Sequence, residues 1–314
     1  MRVATGAAPG KVILFGEHAV VYGRPAVAAA LDHGLGAIAE HSERGPTLDI
    51  PAWGPKGLRL RLDGQEGLDA IGRALAAALD ATEVGRPEVA VTIDGELPLG
   101  VGLGSSAAFA VSMLRALGEF RGAPFERDAL LAAAGQVEEV FHGTPSGIDH
   151  TVIADGGCLR FQRDAEEPFR AVQVAVPVPL VVAWAPREGT TREVVAALRR
   201  RHDAMPELYD GLFDAMTMVT EAGVRALESG DLEALGRLFD LAHGYLNACG
   251  VSSLVNERMV TCARDNGALG AKLTGAGAGG AMVAIAPRAP ARMVSALFAE
   301  GFQAFATTLS ASET

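Results

Sequence analysis

The spacing of apolar and polar positions changes along this chain, and each change predicts an element. KVILFG (11–16) is a short apolar run ending at glycine and predicts a buried strand. GLRLRLDG (57–64) alternates apolar and charged positions, as a half-exposed strand does, and VAVTIDGELP (89–98) predicts another. The proline and glycine of ERGPTLDIPAWGPKG between the first two predict loop. Helical spacing marks 69–81, roughly 105–117 and 126–142, then 191–203, 207–228, 231–248, 253–265 and 289–300. LVVAWAP (180–186) reads as a buried strand, KLTGAGAGGAMVAIAP (272–287) as a glycine loop running into a strand, and FATTLSAS as a last strand. Strands in small clusters and helices in long runs predict an α+β or split α/β protein, with a domain boundary near 175–190.

Composition narrows the picture. The 314 residues suffice for one large domain or two ordinary ones, and 49% hydrophobic against 21% charged residues is globular, not disordered. A net charge of −11 argues against general binding to nucleic acid or anionic membrane, so an anionic ligand would be held locally. The RRRH run at 199–202 reads as a solvated helix end. Three scattered cysteines (Cys158, Cys249, Cys262) lack metal spacing and fit a reducing compartment. No apolar run reaches spanning length, so a cytoplasmic protein is expected.

Four stretches carry candidate chemistry. In APGKVILFGEHAVVYGRPAV (8–27), Lys11 opens an apolar strand and Glu17 and His18 follow it. In PLGVGLGSSAAFA (98–110), alternating glycines lead into a helix, where free N–H groups and the helix dipole favour a phosphate. No lysine follows as in a Walker A loop, and the spacing is not G-x-G-x-x-G. The Ser105 and Ser106 hydroxyls can donate to phosphate oxygens or ligate Mg²⁺. In EEVFHGTPSGIDH (138–150), Glu138 and His142 share a helix face, and a TPSG turn delivers Asp149, so a metal ligand and a base could lie together. In KLTGAGAGGAMVAI, Gly275, Gly277, Gly279 and Gly280 suggest a ligand close to the backbone, because packing alone would accept alanine.

In this order, PGKVILFGEHAVVYG, PLGVGLGSSAA, HGTPSGID and KLTGAGAGG resemble the GHMP kinases, and the resemblance covers almost the whole chain. Within that family FGEHAVVYGRPAV is similar to the branch that phosphorylates mevalonate; galactokinases would show Thr-Asp-Tyr at Ala19-Val20-Val21, and homoserine kinases lack the GEH element. LNACGVSSLVNERM (246–259) agrees with that branch. Another GHMP activity, on phosphomevalonate or a sugar, and a catalytically silent binding protein are the alternatives.

The resemblance implies a two-domain α+β fold, with a split β-α-β N-terminal domain (1–180), an α/β C-terminal domain (181–314) and the active site in the cleft between them. It implies ATP and Mg²⁺ as cofactors, mevalonate as substrate, and a homodimer. Asp149 would accept or orient the hydroxyl proton, with Lys11 beside it, and Ser106 and Glu138 would ligate Mg²⁺. Pro98, Gly100, Gly102, Leu103, Gly104, Ser105, Ser106 and Ala107 would hold the nucleotide. Glu17, His18, Ser146, Arg187, Thr191 and Ala276 would line the substrate pocket, with His18 or Arg187 as partner of the carboxylate. The chain departs from the family pattern at Val101 for alanine, His150 for asparagine, Ala278 for glycine, and Gly189 where many relatives have arginine.

Overall fold

The computed structural model describes residues 2–43, 45–53, 57–62, 69–82, 88–98, 100–142 and 147–312. In chain order its strands and helices are β1 (Val3–Phe15), β2 (Ala26–His41), β3 (Thr47–Ile50), β4 (Leu58–Arg61), α1 (Ala70–Asp80), β5 (Val89–Gly95), α2 (Ser105–Arg121), α3 (Arg127–His142) and α4 (Ile148–Asp155). There follow β6 (Cys158–Phe161), β7 (Phe169–Ala171), β8 (Val178–Ala185), α5 (Thr191–Ala204), α6 (Pro206–Ser229), α7 (Leu232–Ala248), α8 (Leu254–Asp265), β9 (Gly270–Thr274), β10 (Gly280–Ile285), α9 (Pro290–Ala299) and β11 (Gln303–Leu309). The chain forms two compact units, each discontinuous in sequence: Met1–Lys11, His33–Leu99 and Gly104–Gly156 make the first, and Val12–Asp32, Gly100–Leu103 and Gly157–Thr314 the second.

In the first unit β3 pairs with β4 antiparallel and with β5 parallel, so β3, α1 and β5 form a β-α-β crossover. The far half of β2 (Leu35–His41) pairs antiparallel with β5. The TLDI segment, expected as loop, is thus strand β3: its Leu48 and Ile50 are buried, and its pairing overrides the flanking Pro and Gly. Asp69 caps α1 by accepting the Gly72 N–H at 2.9 Å. Helix α2 is buried along nearly its whole length, and Trp53 stacks on its Phe109 with ring centroids 5.7 Å apart.

In the second unit the order β11-β8-β10-β9 gives a four-stranded antiparallel sheet. Met259, Val260, Met293 and Leu297 from α8 and α9 pack on Val181, Ala183, Ala271 and Met282 of that sheet. The near half of β2 (Ala26–Ala29) pairs with β6, and β6 with β7. Reciprocal side-chain-to-backbone caps start α5 (Thr190 with Glu193) and α8 (Ser253 with Asn256). The helices expected at 191–203, 207–228, 231–248, 253–265 and 289–300 are α5 to α9. Among the described residues no helix is long and apolar enough to cross a membrane.

Candidate active site

The candidate residues fall into two sets, each inside one unit. In the first unit Lys11 lies on β1 and Asp149 in the first turn of α4, not in a free turn, and they form an ion pair of 2.9 Å. The lysine side chain is 5% exposed and the aspartate 34%, so the carboxylate is supported on one side and open to a ligand on the other.

Gly104 immediately precedes α2 and has φ +74°, and no side chain caps the helix. The early N–H groups of α2, at Ser105, Ser106 and Ala107, therefore stand at an uncapped, positive helix end. A Cβ at Gly104 would lie 2.9 Å from Lys11 Cγ and 2.9 Å from Ile153 Cδ1, so the loop needs glycine here both for its backbone angle and for the lysine beside it. Ser106 donates to Glu138 Oε1 at 3.4 Å across α2 and α3, and Glu138 Oε2 meets His150 Nδ1 at 2.6 Å. His150, noted in the sequence only as a departure from the family pattern, is thus tied to an expected metal ligand.

In the second unit Glu17 and His18 follow β1. His18 adopts φ +63°, a left-handed angle that few residues other than glycine take, and it is held there by Nε2 against the Ala276 carbonyl at 2.9 Å. A carbonyl only accepts, so Nε2 carries the hydrogen and Nδ1 presents its lone pair. Burial pushes the imidazole pKa down, more than the Ala276 bond pulls it up, and His18 is neutral near pH 7. Glu17 forms a short ion pair with Lys272 of β9, both fully buried. Sequence reasoning passed over Lys272, which stands in the middle of the fully buried β9 (GAKLT).

Arg187 Nη1 donates to Thr191 Oγ1 at 2.7 Å, which brings two expected substrate residues together. Its guanidinium lies against two glycines: a Cβ would come within 2.9 Å of Nη2 at Gly102 and 3.1 Å at Gly280. Arg187 Nε is buried with no hydrogen-bond partner, and among the described residues no carboxylate pairs with this arginine. A half-buried cation without an acid beside it suits an anionic ligand.

Two of the glycines after β9, Gly277 and Gly279, have a cause other than the expected ligand. A Cβ at Gly277 would lie 2.2 Å from Val251 O, and one at Gly279 2.6 Å from Pro186 O, so the protein's own backbone excludes alanine there. Ala278, between them, takes φ +52°. Of the remaining expected residues, Pro98 is half-buried, Gly100 exposed and Leu103 buried, while Ser146 lies outside the described residues.

The chain matches the family models for the GHMP kinases N terminal domain over residues 70–157 and for GHMP kinases C terminal over 224–303. It is 36% identical to the mevalonate kinase of Thermococcus gammatolerans over 99% of this chain and 97% of that one, and 34% identical to that of Methanothermobacter thermautotrophicus over 94% of each. The L. major mevalonate kinase in complex with R-mevalonate superimposes with a TM-score of 0.86 at 28% identity, covering 100% of this chain and 97% of the other. The Methanococcus jannaschii mevalonate kinase gives 0.82 at 25% identity over 98% of each chain.

Proposed function

Since the chain belongs to the GHMP kinase family, whose members use ATP, we infer that it transfers the γ-phosphoryl group of ATP to the primary hydroxyl of (R)-mevalonate, giving 5-phosphomevalonate and ADP. The observation that carries the phosphoryl-transfer reading is the Lys11–Asp149 pair beside Gly104 and the uncapped start of α2. The relatives named as mevalonate kinases, matched at full length, support the substrate.

Phosphoryl transfer asks a protein mainly for positioning and charge neutralisation. Asp149 takes the hydroxyl proton as the substrate oxygen attacks the γ-phosphorus and ADP leaves. Lys11 orients that carboxylate and offsets negative charge on the attacking oxygen. Backbone N–H groups from Gly100 to Ala107, with Pro98 setting the entry of the loop, hold the phosphates. His18, Ser146, Thr191 and Ala276 line the mevalonate pocket, and Glu17, sealed in its pair with Lys272, braces it. His18 offers a lone pair at Nδ1, not a charge, so of the two candidates for the substrate carboxylate Arg187 is the cation.

The Ser106 hydroxyl and the Glu138 carboxylate are hard oxygen donors within hydrogen-bond reach of each other, a donor set that fits Mg²⁺. Among the described residues no group of three or more His, Cys, Asp or Glu side chains could hold a metal. When bound, Mg²⁺ neutralises charge on the β- and γ-phosphates.

We carry the 1–180 and 181–314 division as two functional domains, supported by family-model matches lying on either side of 180. A cytoplasmic location is supported by the three free cysteines. The homodimer rests on the family resemblance and is read by light scattering.

The test is ADP release with Mg·ATP against mevalonate, 5-phosphomevalonate, galactose and homoserine. Turnover with mevalonate alone is expected. Turnover with another of the four discards the substrate pocket, and silence on all four discards the activity.

A further inference from the structure

Glu138 is sealed from solvent, and its two oxygens are divided between two partners. Oε1 accepts from Ser106, while Oε2 lies 2.6 Å from His150 Nδ1. A carboxylate only accepts, so the hydrogen in the second contact sits on Nδ1. The last torsion of a glutamate is broad, and nothing intrinsic to the side chain fixes the plane of its carboxylate. His150 is itself well placed: it stands in the first turn of α4, and its Cε1 is 3.6 Å from the position of a Cβ on Gly135, one turn before Glu138 on α3. The ring thus packs closely over Gly135.

We propose that His150 is a positioning residue for the divalent cation: by holding Glu138 Oε2 it fixes the carboxylate plane and leaves Oε1 aimed at the Ser106 hydroxyl, where the ion binds. The proposal rests on Glu138 being a metal ligand, as argued above. Partners that orient a ligand in this way commonly change metal affinity by about ten- to a hundredfold when removed. The geometry also says which side chains can replace the histidine. Its Nδ1 is bonded to Cγ, and the amide nitrogen of asparagine occupies the same place along the side chain. In glutamine the nitrogen is one carbon further out and overshoots Oε2.

The experiment is a Mn²⁺ titration by electron paramagnetic resonance in the presence of ADP. It uses wild type, His150→Asn, His150→Gln, His150→Leu and Glu138→Gln, each checked for an unchanged melting temperature. His150→Asn should stay within about twofold of wild type, and His150→Gln and His150→Leu should bind Mn²⁺ about tenfold or more weakly. In steady state the weakened variants should need more metal for half-maximal rate, with KM for mevalonate unchanged. If Glu138→Gln keeps wild-type affinity, Glu138 is not a ligand and the reading beneath the proposal falls. If Glu138→Gln binds weakly while His150→Gln and His150→Leu match wild type, the ligand stands and His150 positions nothing. Should leucine unfold the protein, the contrast of asparagine with glutamine still decides, and equal affinity in those two overturns the proposal.

Discussion

Two lysine–carboxylate pairs occupy different units, and they differ in what surrounds them. Lys11–Asp149 is closed on the lysine side and open on the aspartate side, with side-chain exposures of 5% and 34%. Lys272–Glu17 is shut on both sides, at 0% and 1%. The ammonium of Lys272 also donates to Leu273 O at 2.8 Å and to Ile13 O at 3.4 Å, and it lies 5.8 Å from the Phe239 ring centroid. Burial pushes the Lys272 pKa down and Glu17 pulls it back up. A carboxylate that must exchange a proton with a substrate needs an open face, which Asp149 has. The Lys272 pair instead ties β9, just ahead of the glycine turn, to the glutamate of the GEH element. The same two chemical groups thus suit the proposed reaction centre in one place and a scaffold in the other.

The largest expected effect breaks the first pair. Asp149→Asn should lower turnover by about a thousandfold, the scale of a lost general base, while the melting temperature and nucleotide binding stay near wild type. A variant that keeps a tenth of wild-type turnover removes Asp149 from the proton transfer. The second effect is on stability and separates the pairs. Lys272→Met leaves a buried carboxylate alone and should cost about 3–5 kcal/mol in urea unfolding, and replacing Glu17 by leucine in the same protein should recover most of it. Lys11→Met should cost about 1 kcal/mol or less, since its partner can turn to water, although it should lose most of its activity. Equal stability losses for the two lysine variants would erase the distinction.

Helices of the second unit were legible because their apolar stripes recur at helical spacing over several turns. Strands were legible only where β-formers cluster. The longest strand, β2, reads AVAAALDHGLGAIAEH, and its alanines and glycines carry little β preference; its partners β5 and β6 create it. The first strand begins at Val3, well before the apolar KVILFG, for the same reason. Helix α4 is short, with eight residues, and gives no period to read. In the site, Ser106 and Glu138 stood out one by one, but their meeting at 3.4 Å depends on how α2 lies on α3. No spacing rule joins Lys11 to Asp149 or Glu17 to Lys272, residues far apart in the chain. Those pairings come from tertiary structure, and only the family resemblance suggested the first.

The smallest effect tests how tightly the scaffold pair's surroundings are closed. His243 on α7 accepts the Leu273 N–H at Nδ1 (3.3 Å), next to Lys272, and its Nε2 lies 3.2 Å from Glu257 Oε1. Burial pushes its pKa down, with Arg264 and Lys272 pushing the same way and Glu257 pulling up. His18 is pushed down by burial as well. Below pH 6.5 the unfolded chain takes up protons on both imidazoles while the folded protein does not, so stability must fall as pH drops through that window toward the lowered folded values. The melting temperature should fall by a few degrees between pH 7 and 5.5, about what 1 kcal/mol is worth for a chain this long. His243→Asn keeps an acceptor where Nδ1 stood and has nothing to titrate, so its melting temperature should depend less steeply on pH. An unchanged slope would mean that water reaches His243 freely, and that the ground beneath Lys272 is not closed.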